Sequence, residues 1–348
     1  MNQPADISHP NGNQSGEMSG SYHWVHPPLH DCWYLTGPTS SGKTKLALAV
    51  AETLGAEIIS LDSMAIYRGM DIGTAKPTPS QRERVVHHML DIVEPTELYS
   101  VSQYVMEAHR CAAEIRSRGK KVLVCGGTPL YLKALIRGLF LGPTADWDFR
   151  QAVDADVTQY GIDVLRERLL QVDPLLAHKL HPNDQRRMIR ALEVARVTGQ
   201  PLSHWQEQFD VPASKEACPV VVLKLQRSWL HERINSRVNS MLQNGLADEV
   251  RGLLTRFGQL GRTAAQAVGY REMIQFLSDQ VAWEETVENI MAHTRQFARR
   301  QEIWFRSLSE LQGVTVNSDS QTEEVVEKII SIFLTCPQIT STEIPPSP

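Results

Sequence analysis

At 348 residues the chain has room for one large domain with an insertion, or for two ordinary domains, and it can bury a sizeable core. Hydrophobic residues at 42% and charged residues at 22% are ordinary values for a soluble globular protein and argue against disorder or membrane residence as the default. The formal charge of −5 argues against a protein that coats nucleic acid indiscriminately, so any nucleic-acid contact has to be local.

Cys32, Cys111, Cys125, Cys218 and Cys336 are odd in number, far apart and never in a Cys-x-x-Cys pair. They signal neither a disulfide framework nor a zinc ribbon, and a reducing, intracellular compartment is expected. No Lys or Arg precedes Lys43, which speaks against a secretory or mitochondrial leader, and no apolar run approaches the length of a membrane span. A cytoplasmic protein with no membrane partner is the expectation.

In chain order, residues 1–30 are rich in Asn, Gln, Ser, Gly and Pro without periodicity and read as a disordered extension. A short strand "CWYLTG" leads into a Gly-rich turn and then a helix "KTKLALAVAETLG" closed by Gly55. A second strand, "EIISLDS", precedes an irregular Gly- and Pro-bearing stretch. A helix follows from about Ser102 to Arg118, ended by Gly119, and then a third strand "KVLVCGG". Residues 143–203 hold helical patterns and no convincing strand, which predicts an all-helical insertion. The strand pattern resumes at "PVVVLKL", long helices fill most of 228–311, and 336–348 reads as a disordered tail. Strands alternating with helices predict an α/β fold: a P-loop core of residues 31–142 and 204–335, its parallel sheet flanked by helices, interrupted by the insertion.

The spelling Gly37-x-x-x-x-Gly42-Lys43-Thr44, between a predicted strand and helix, is a complete phosphate-binding loop. Its backbone N–H groups can surround phosphate oxygens while Lys43 supplies a point charge and Thr44 a hydroxyl for Mg²⁺. A nucleotide hydrolase would also show an apolar strand ending in Asp or Glu, but "KVLVCGGT" ends in Cys-Gly-Gly-Thr. Asp62 is the carboxylate at a strand tip, where open α/β sheets place ligands, and it is a candidate base or metal ligand. The lesser alternative is an Asp that caps a helix after the strand.

These stretches, with "ISLDSMAIYRGMDIGTAKPT", "HHMLDIVEP", "VCGGTPLYLKAL", "HPNDQRRMIRALEV", "VGYRE" and "RRQEIWFR", resemble in order the signatures of the tRNA dimethylallyltransferase family from about Tyr34 to Phe305. The resemblance implies transfer of a dimethylallyl group from its diphosphate to the exocyclic N6 amine of adenine at tRNA position 37, with release of diphosphate. The tRNAs would be those reading codons that begin with U, with adenines at positions 36 to 38, and Mg²⁺ would be the cofactor. A monomer is expected. The family commonly has Ala where Ser40 stands, and some eukaryotic relatives carry a C-terminal zinc finger for which this chain shows no pattern.

By the same resemblance Asp62 would be the base and Thr128 would hydrogen-bond the target adenine, although Thr128 also suits a helix N-cap ahead of Pro129. The diphosphate would lie on Gly37, Pro38, Thr39, Ser40, Ser41, Gly42, Lys43 and Thr44, with Thr44 on the metal. Arg233 would reach in from a later helix, and Arg237, four residues on, is an alternative. The tRNA would meet Asp62, Ser63, Met64 and Ala65, then Thr128 and Arg150. The run from Arg186 through Arg187, Met188 and Ile189 to Arg190 would follow, and the run from Gln266 through Ala267, Val268, Gly269 and Tyr270 to Arg271. Arg299, Arg300, Gln301, Trp304 and Arg306 would complete the surface. Arginine beside aromatics suits splayed bases and phosphates. The last group also reads as an amphipathic helix with Phe297 and Trp304 toward the core and the arginines toward water. A small-molecule kinase is the alternative activity, and a noncatalytic RNA-binding protein the alternative class.

Overall fold

Strands that are apolar on both faces need cover on both faces, and the chain supplies it with alternating helices. The computed structural model describes residues 25–213 and 219–335. A two-residue strand β1 (Val25–His26) and the buried Leu29 make residues 25–30 part of the fold, where the sequence suggested extension; the rest of that segment, the tail from 336, Cys218 and Cys336 lie outside the described residues. Then come β2 (Trp33–Thr36), α1 (Lys43–Leu54), β3 (Ala56–Leu61), α2 (Pro79–Arg84), β4 (His87–His88), α3 (Val101–Ser117), β5 (Lys121–Gly126), α4 (Pro129–Arg137) and β6 (Leu139–Phe140). The insertion follows as α5 (Trp147–Tyr160), α6 (Asp163–Val172), α7 (Pro174–Lys179), α8 (Gln185–Thr198), α9 (Leu202–Trp205) and α10 (Glu207–Asp210). The chain ends with β7 (Val220–Leu225), α11 (Arg227–Gln243), α12 (Leu246–Phe257), α13 (Arg262–Ala265), α14 (Tyr270–Leu277), α15 (Trp283–Arg306), β8 (Leu311–Val316) and α16 (Thr322–Thr335).

Six strands form a parallel sheet in the order β4-β3-β5-β2-β7-β8, while β1 pairs antiparallel with β6 beside it. On one face α1 and α16 pack Leu46, Val50, Ile329 and Phe333 onto the sheet, with Phe333 stacked on Trp33 at 5.7 Å between ring centroids. On the other face α3 and α4 bury Tyr104, Ile115, Leu132 and Leu135. Each such fully buried side chain is worth roughly 1.5–3 kcal/mol against exposure. The long helices α11, α12, α14 and α15 close a third cluster on Ile66, Tyr67 and Met70. The insertion closes a fourth on Val153, Leu165, Leu169, Met188 and Val194. Leu202 also belongs to that cluster, and Trp205 packs on it and stacks on Phe140 at 4.9 Å, so the insertion runs slightly past the expected 203.

Helix limits follow local chemistry. Helix α1 stops at Gly55 with φ 63°, and α3 begins with a Ser100/Gln103 capping box and gives way at Gly119 with φ 70°. At the carboxyl end of the sheet β3 and β5 come close enough that a Cβ on Gly126 would lie 2.2 Å from the Leu61 carbonyl oxygen. Thr36 Oγ1 donates to the Gly126 carbonyl at 2.8 Å from the other side. Gly126→Ala is therefore expected to cost about 3 kcal/mol, the upper end of overpacking penalties, read as a lower urea midpoint at unchanged slope.

Candidate active site

The carboxyl ends of β2, β3 and β5 lie side by side, so the three segments that follow them converge. After β2, the loop 37–42 turns with positive φ at Gly37, Ser40 and Gly42. Gly42 then starts α1 with no side-chain cap, which leaves the first N–H groups of the helix for an anion. Lys43 Nζ folds back to donate to the carbonyls of Gly37 (2.9 Å) and Pro38 (2.7 Å). The surrounding protein strips water from this ammonium and pulls its pKa down to about 8. The hydroxyls of Ser40 and Ser41 are buried without a hydrogen-bond partner among the described residues, the condition of groups waiting for a ligand.

After β3, Asp62 accepts through Oδ1 from the N–H groups of Met64 (2.8 Å) and Ala65 (3.2 Å), so it caps a turn and not a helix, the next helix beginning at Pro79. Among the described residues no donor occupies Oδ2, which leaves it for a substrate. After β5, the Thr128 N–H donates to the Leu61 carbonyl at 3.1 Å. Thr128 Oγ1 accepts from the Ser63 N–H at 3.0 Å and makes no cap bond to α4, although Thr128 occupies the N-cap position before Pro129. The hydroxyl is held beside Asp62 instead of being spent on its own helix.

Two cavities meet here. One of about 590 Å³ is lined by the loop 39–44 together with Asp62, Arg233 and Arg237. The other, about 420 Å³, is lined by Asp62, Ser63, Met64, Thr128, Arg186, residues 266–270 and Arg300. Asp62, Thr39, Thr74, Gly127, Arg237, Phe297 and Gln301 line both. Asp62 is thus the carboxylate shared by a phosphate-binding chamber and a chamber with arginines at its wall.

Helix α11 brings both arginine candidates to the first chamber. Arg233 Nε donates to the Ser40 carbonyl at 2.7 Å and its guanidinium lies 5.0 Å from the centroid of Trp229, so it braces the loop directly. Arg237 sits where the chambers join; burial lowers its pKa while Asp62 opposes the shift.

Burial redistributes the expected RNA contacts. Met188 and Ile189 are core residues of the insertion, so only their arginine neighbours can face a ligand. Arg186 lines the second chamber, whereas Arg187 lies 3.4 Å from Asp184 and Arg190 pairs with Glu193. Arg150 is forked onto the same buried Glu193, at 2.9 and 2.8 Å, and is a structural partner first. Burial alone would push the Glu193 carboxyl up, but the hydrogen bonds from Arg150, Arg190 and the Asp146 N–H hold it below the usual range.

Tyr270 is fully buried with its hydroxyl on Glu249 Oε1 at 2.5 Å, and Ala267 is nearly so, while Arg271 pairs with Glu272. On α15 the core stripe is Ile290, Ala298, Gln301 and Phe305. Phe297, expected toward the core, is instead 38% exposed and lines both chambers, and Trp304 is half-buried. Arg300 reaches the second chamber, and Arg299 and Arg306 are exposed. Gln301 lines both chambers, but it is buried and its amide is bonded to backbone at both ends. Arg262, Thr263 and Thr74 line the second chamber unanticipated; Thr74 lies within the segment "ISLDSMAIYRGMDIGTAKPT", whereas Arg262 and Thr263 fall outside the recognised stretches. His88, adjacent to His87, pairs with Glu57 at 2.7 Å.

A phosphate loop, a strand-tip carboxylate and a second chamber rimmed by arginine define a P-loop protein in which two chambers share one carboxylate. A model of the IPP transferase family matches residues 65–308. A tRNA dimethylallyltransferase of Rhodopirellula baltica is 49% identical over 319 residues, covering 88% of this chain and 96% of the relative; one of Geobacter sulfurreducens is 43% identical over 272 residues, covering 78% and 88%. Among solved structures, the full-length tRNA isopentenylpyrophosphate transferase of Bacillus halodurans aligns at TM-score 0.64 and 35% identity over 88% of this chain and 97% of its own. A eukaryotic dimethylallyltransferase acting on tRNA aligns at TM-score 0.71 and 25% identity, over 87% and 79%. The chain belongs to the IPP transferase family of tRNA-prenylating enzymes.

Proposed function

We propose that the protein transfers a dimethylallyl group from dimethylallyl diphosphate to the N6 amine of adenine 37 in tRNAs carrying adenines at positions 36 to 38. The observation that carries this reading is the position of Asp62, on the wall shared by the phosphate chamber and the arginine-rimmed one. The adenine nitrogen forms a bond to the allylic carbon as the carbon–oxygen bond to diphosphate breaks, and the proton leaving N6 passes to the Asp62 carboxylate. An exocyclic amine whose lone pair is delocalised needs such a base. Thr128, fixed by the Ser63 N–H, orients the base, and the loop amides, Lys43 and Arg233 stabilise the charge gathering on the leaving diphosphate.

Magnesium suits this donor set. Mg²⁺ keeps several waters and takes one or two protein oxygens together with substrate phosphates. Among the described residues no group of three His, Cys, Asp or Glu could hold a metal alone. The Thr44 hydroxyl at the start of α1 would share the ion with the diphosphate, which gains charge neutralisation from it. Monomeric action fits a site whose phosphate loop, Asp62 and Thr128 all come from one chain, and a cytoplasmic site of action fits a tRNA substrate. Among the described residues no helix is long and apolar enough to cross a membrane.

The test is incubation of the pure protein with Mg²⁺, dimethylallyl diphosphate and unmodified tRNA, followed by nucleoside mass spectrometry. A gain of one C₅H₈ unit on adenosine 37 is expected. Chelation by EDTA should abolish it and added Mg²⁺ restore it. Radiolabel passing from ATP to a small acceptor, with no prenyl group on tRNA, would establish the kinase alternative instead.

A further inference from the structure

Gln301, on α15, spans the two loops that the proposed reaction requires to act together. Its side chain is 3% exposed, with Oε1 accepting from the Thr39 N–H at 2.8 Å and Nε2 donating to the Gly127 carbonyl at 2.6 Å. A backbone N–H can only donate and a carbonyl only accept, so the amide's orientation is fixed by chemistry. Thr39 belongs to the phosphate loop after β2, and Gly127 immediately precedes Thr128 after β5. Strands β2 and β5 are already paired as far as Thr36 and Gly126, so the sheet does not need this amide. What it fixes is the loop beyond each strand.

The two loops are also in near contact at this point. A Cβ on Gly127 would lie 2.7 Å from Gln301 Nε2, 3.3 Å from the Gly37 carbonyl oxygen and 3.6 Å from Lys43 Nζ. We infer that Gln301 is a positioning residue that locks the donor's phosphate loop to the loop carrying Thr128, so that filling the first sets the acceptor in register. A buried amide satisfied at both ends by backbone can move only if both loops move with it. This inference rests on the prenyl-transfer reading for its kinetic consequence and on geometry alone for its conformational one.

The test uses the full chain with Gln301→Met, which conserves volume without either hydrogen bond, and Gln301→Glu, which keeps an acceptor for Thr39 but opposes a carboxylate to the Gly127 carbonyl. The kcat for tRNA prenylation is expected to fall at least tenfold in both, with KM for tRNA and for dimethylallyl diphosphate within threefold of wild type. Hydrogen exchange with inorganic diphosphate as the probe gives a readout independent of activity. Diphosphate should slow exchange across residues 126–130 in the wild type and have no effect there in the variants. A kcat within tenfold of wild type, a loss carried by KM, or diphosphate protection of 126–130 that survives in either variant would overturn the inference. If Gln301→Met fails to fold, Gln301→Glu decides. If the wild type prenylates no tRNA, the functional reading fails and the exchange comparison still judges the strut.

Discussion

Asp62→Asn is expected to lower kcat by about 10²–10⁴-fold, the range for removing a general base, with little change in KM for either substrate. The substitution is nearly isosteric, and the amide oxygen can still accept from the Met64 and Ala65 N–H groups that Asp62 Oδ1 serves, so the turn after β3 should keep its shape. What the amide cannot do is take the proton from the adenine amine at the free position. Single-turnover prenylation with enzyme and tRNA in excess over dimethylallyl diphosphate checks this directly. A single-turnover rate equal to that of the wild type, or a defect removed by raising either substrate, would show that Asp62 only shapes the site.

The second large effect is at Lys43. Its ammonium is desolvated to a pKa of about 8 and already lies on the loop's own carbonyls, so it is a charge held ready for an incoming diphosphate. The sign follows from the charged form being the one that binds. Below pH 8 the free enzyme carries the cation and donor affinity is level; above pH 8 the lysine discharges and KM for dimethylallyl diphosphate climbs as pH rises. Lys43→Met should lower kcat/KM for the donor by roughly 10²–10³-fold, comparable to losing one oxyanion donor, and should flatten that rise. Steady-state kinetics between pH 6.5 and 9.5 at fixed tRNA measure both. A Lys43→Met enzyme that keeps the rise would assign it to another group.

The elements that sequence reading located are those whose signals are local. The glycine-bounded α1, the capping-box helix α3 and the apolar runs of β2, β3, β5 and β7 are where the pattern puts them, because burial on both faces leaves no polar alternation to confuse. Strand β8 is different: "LQGVTV" lies at the sheet edge, half exposed and broken by Gly313, so its pairing with β7 is written in the sheet and not in its own composition. The two-residue strands β1, β4 and β6 are too short for any periodicity to register.

The site divides in the same way. The phosphate loop, Asp62 and Thr128 are contiguous motifs and were legible. The roles of Gln301, Arg150 and Tyr270 depend on partners 262, 43 and 21 residues away in sequence. Gln301 stands in a basic stretch and Arg150 among aspartates, and in neither case does the neighbouring sequence name the distant partner. Met188 and Ile189 illustrate the converse, since a helix that offers arginines to solvent must turn its aliphatic residues inward.

The insertion closes its apolar residues on one another, hung from the rest of the molecule at places such as the Phe140–Trp205 stack. Selection can accordingly rework most of that appendage while the phosphate loop and Asp62 stay untouched, Arg186 being its side chain at the wall of the second chamber. Lineages with differing tRNA repertoires would be expected to diverge in this appendage and to keep the sheet edge that carries Asp62.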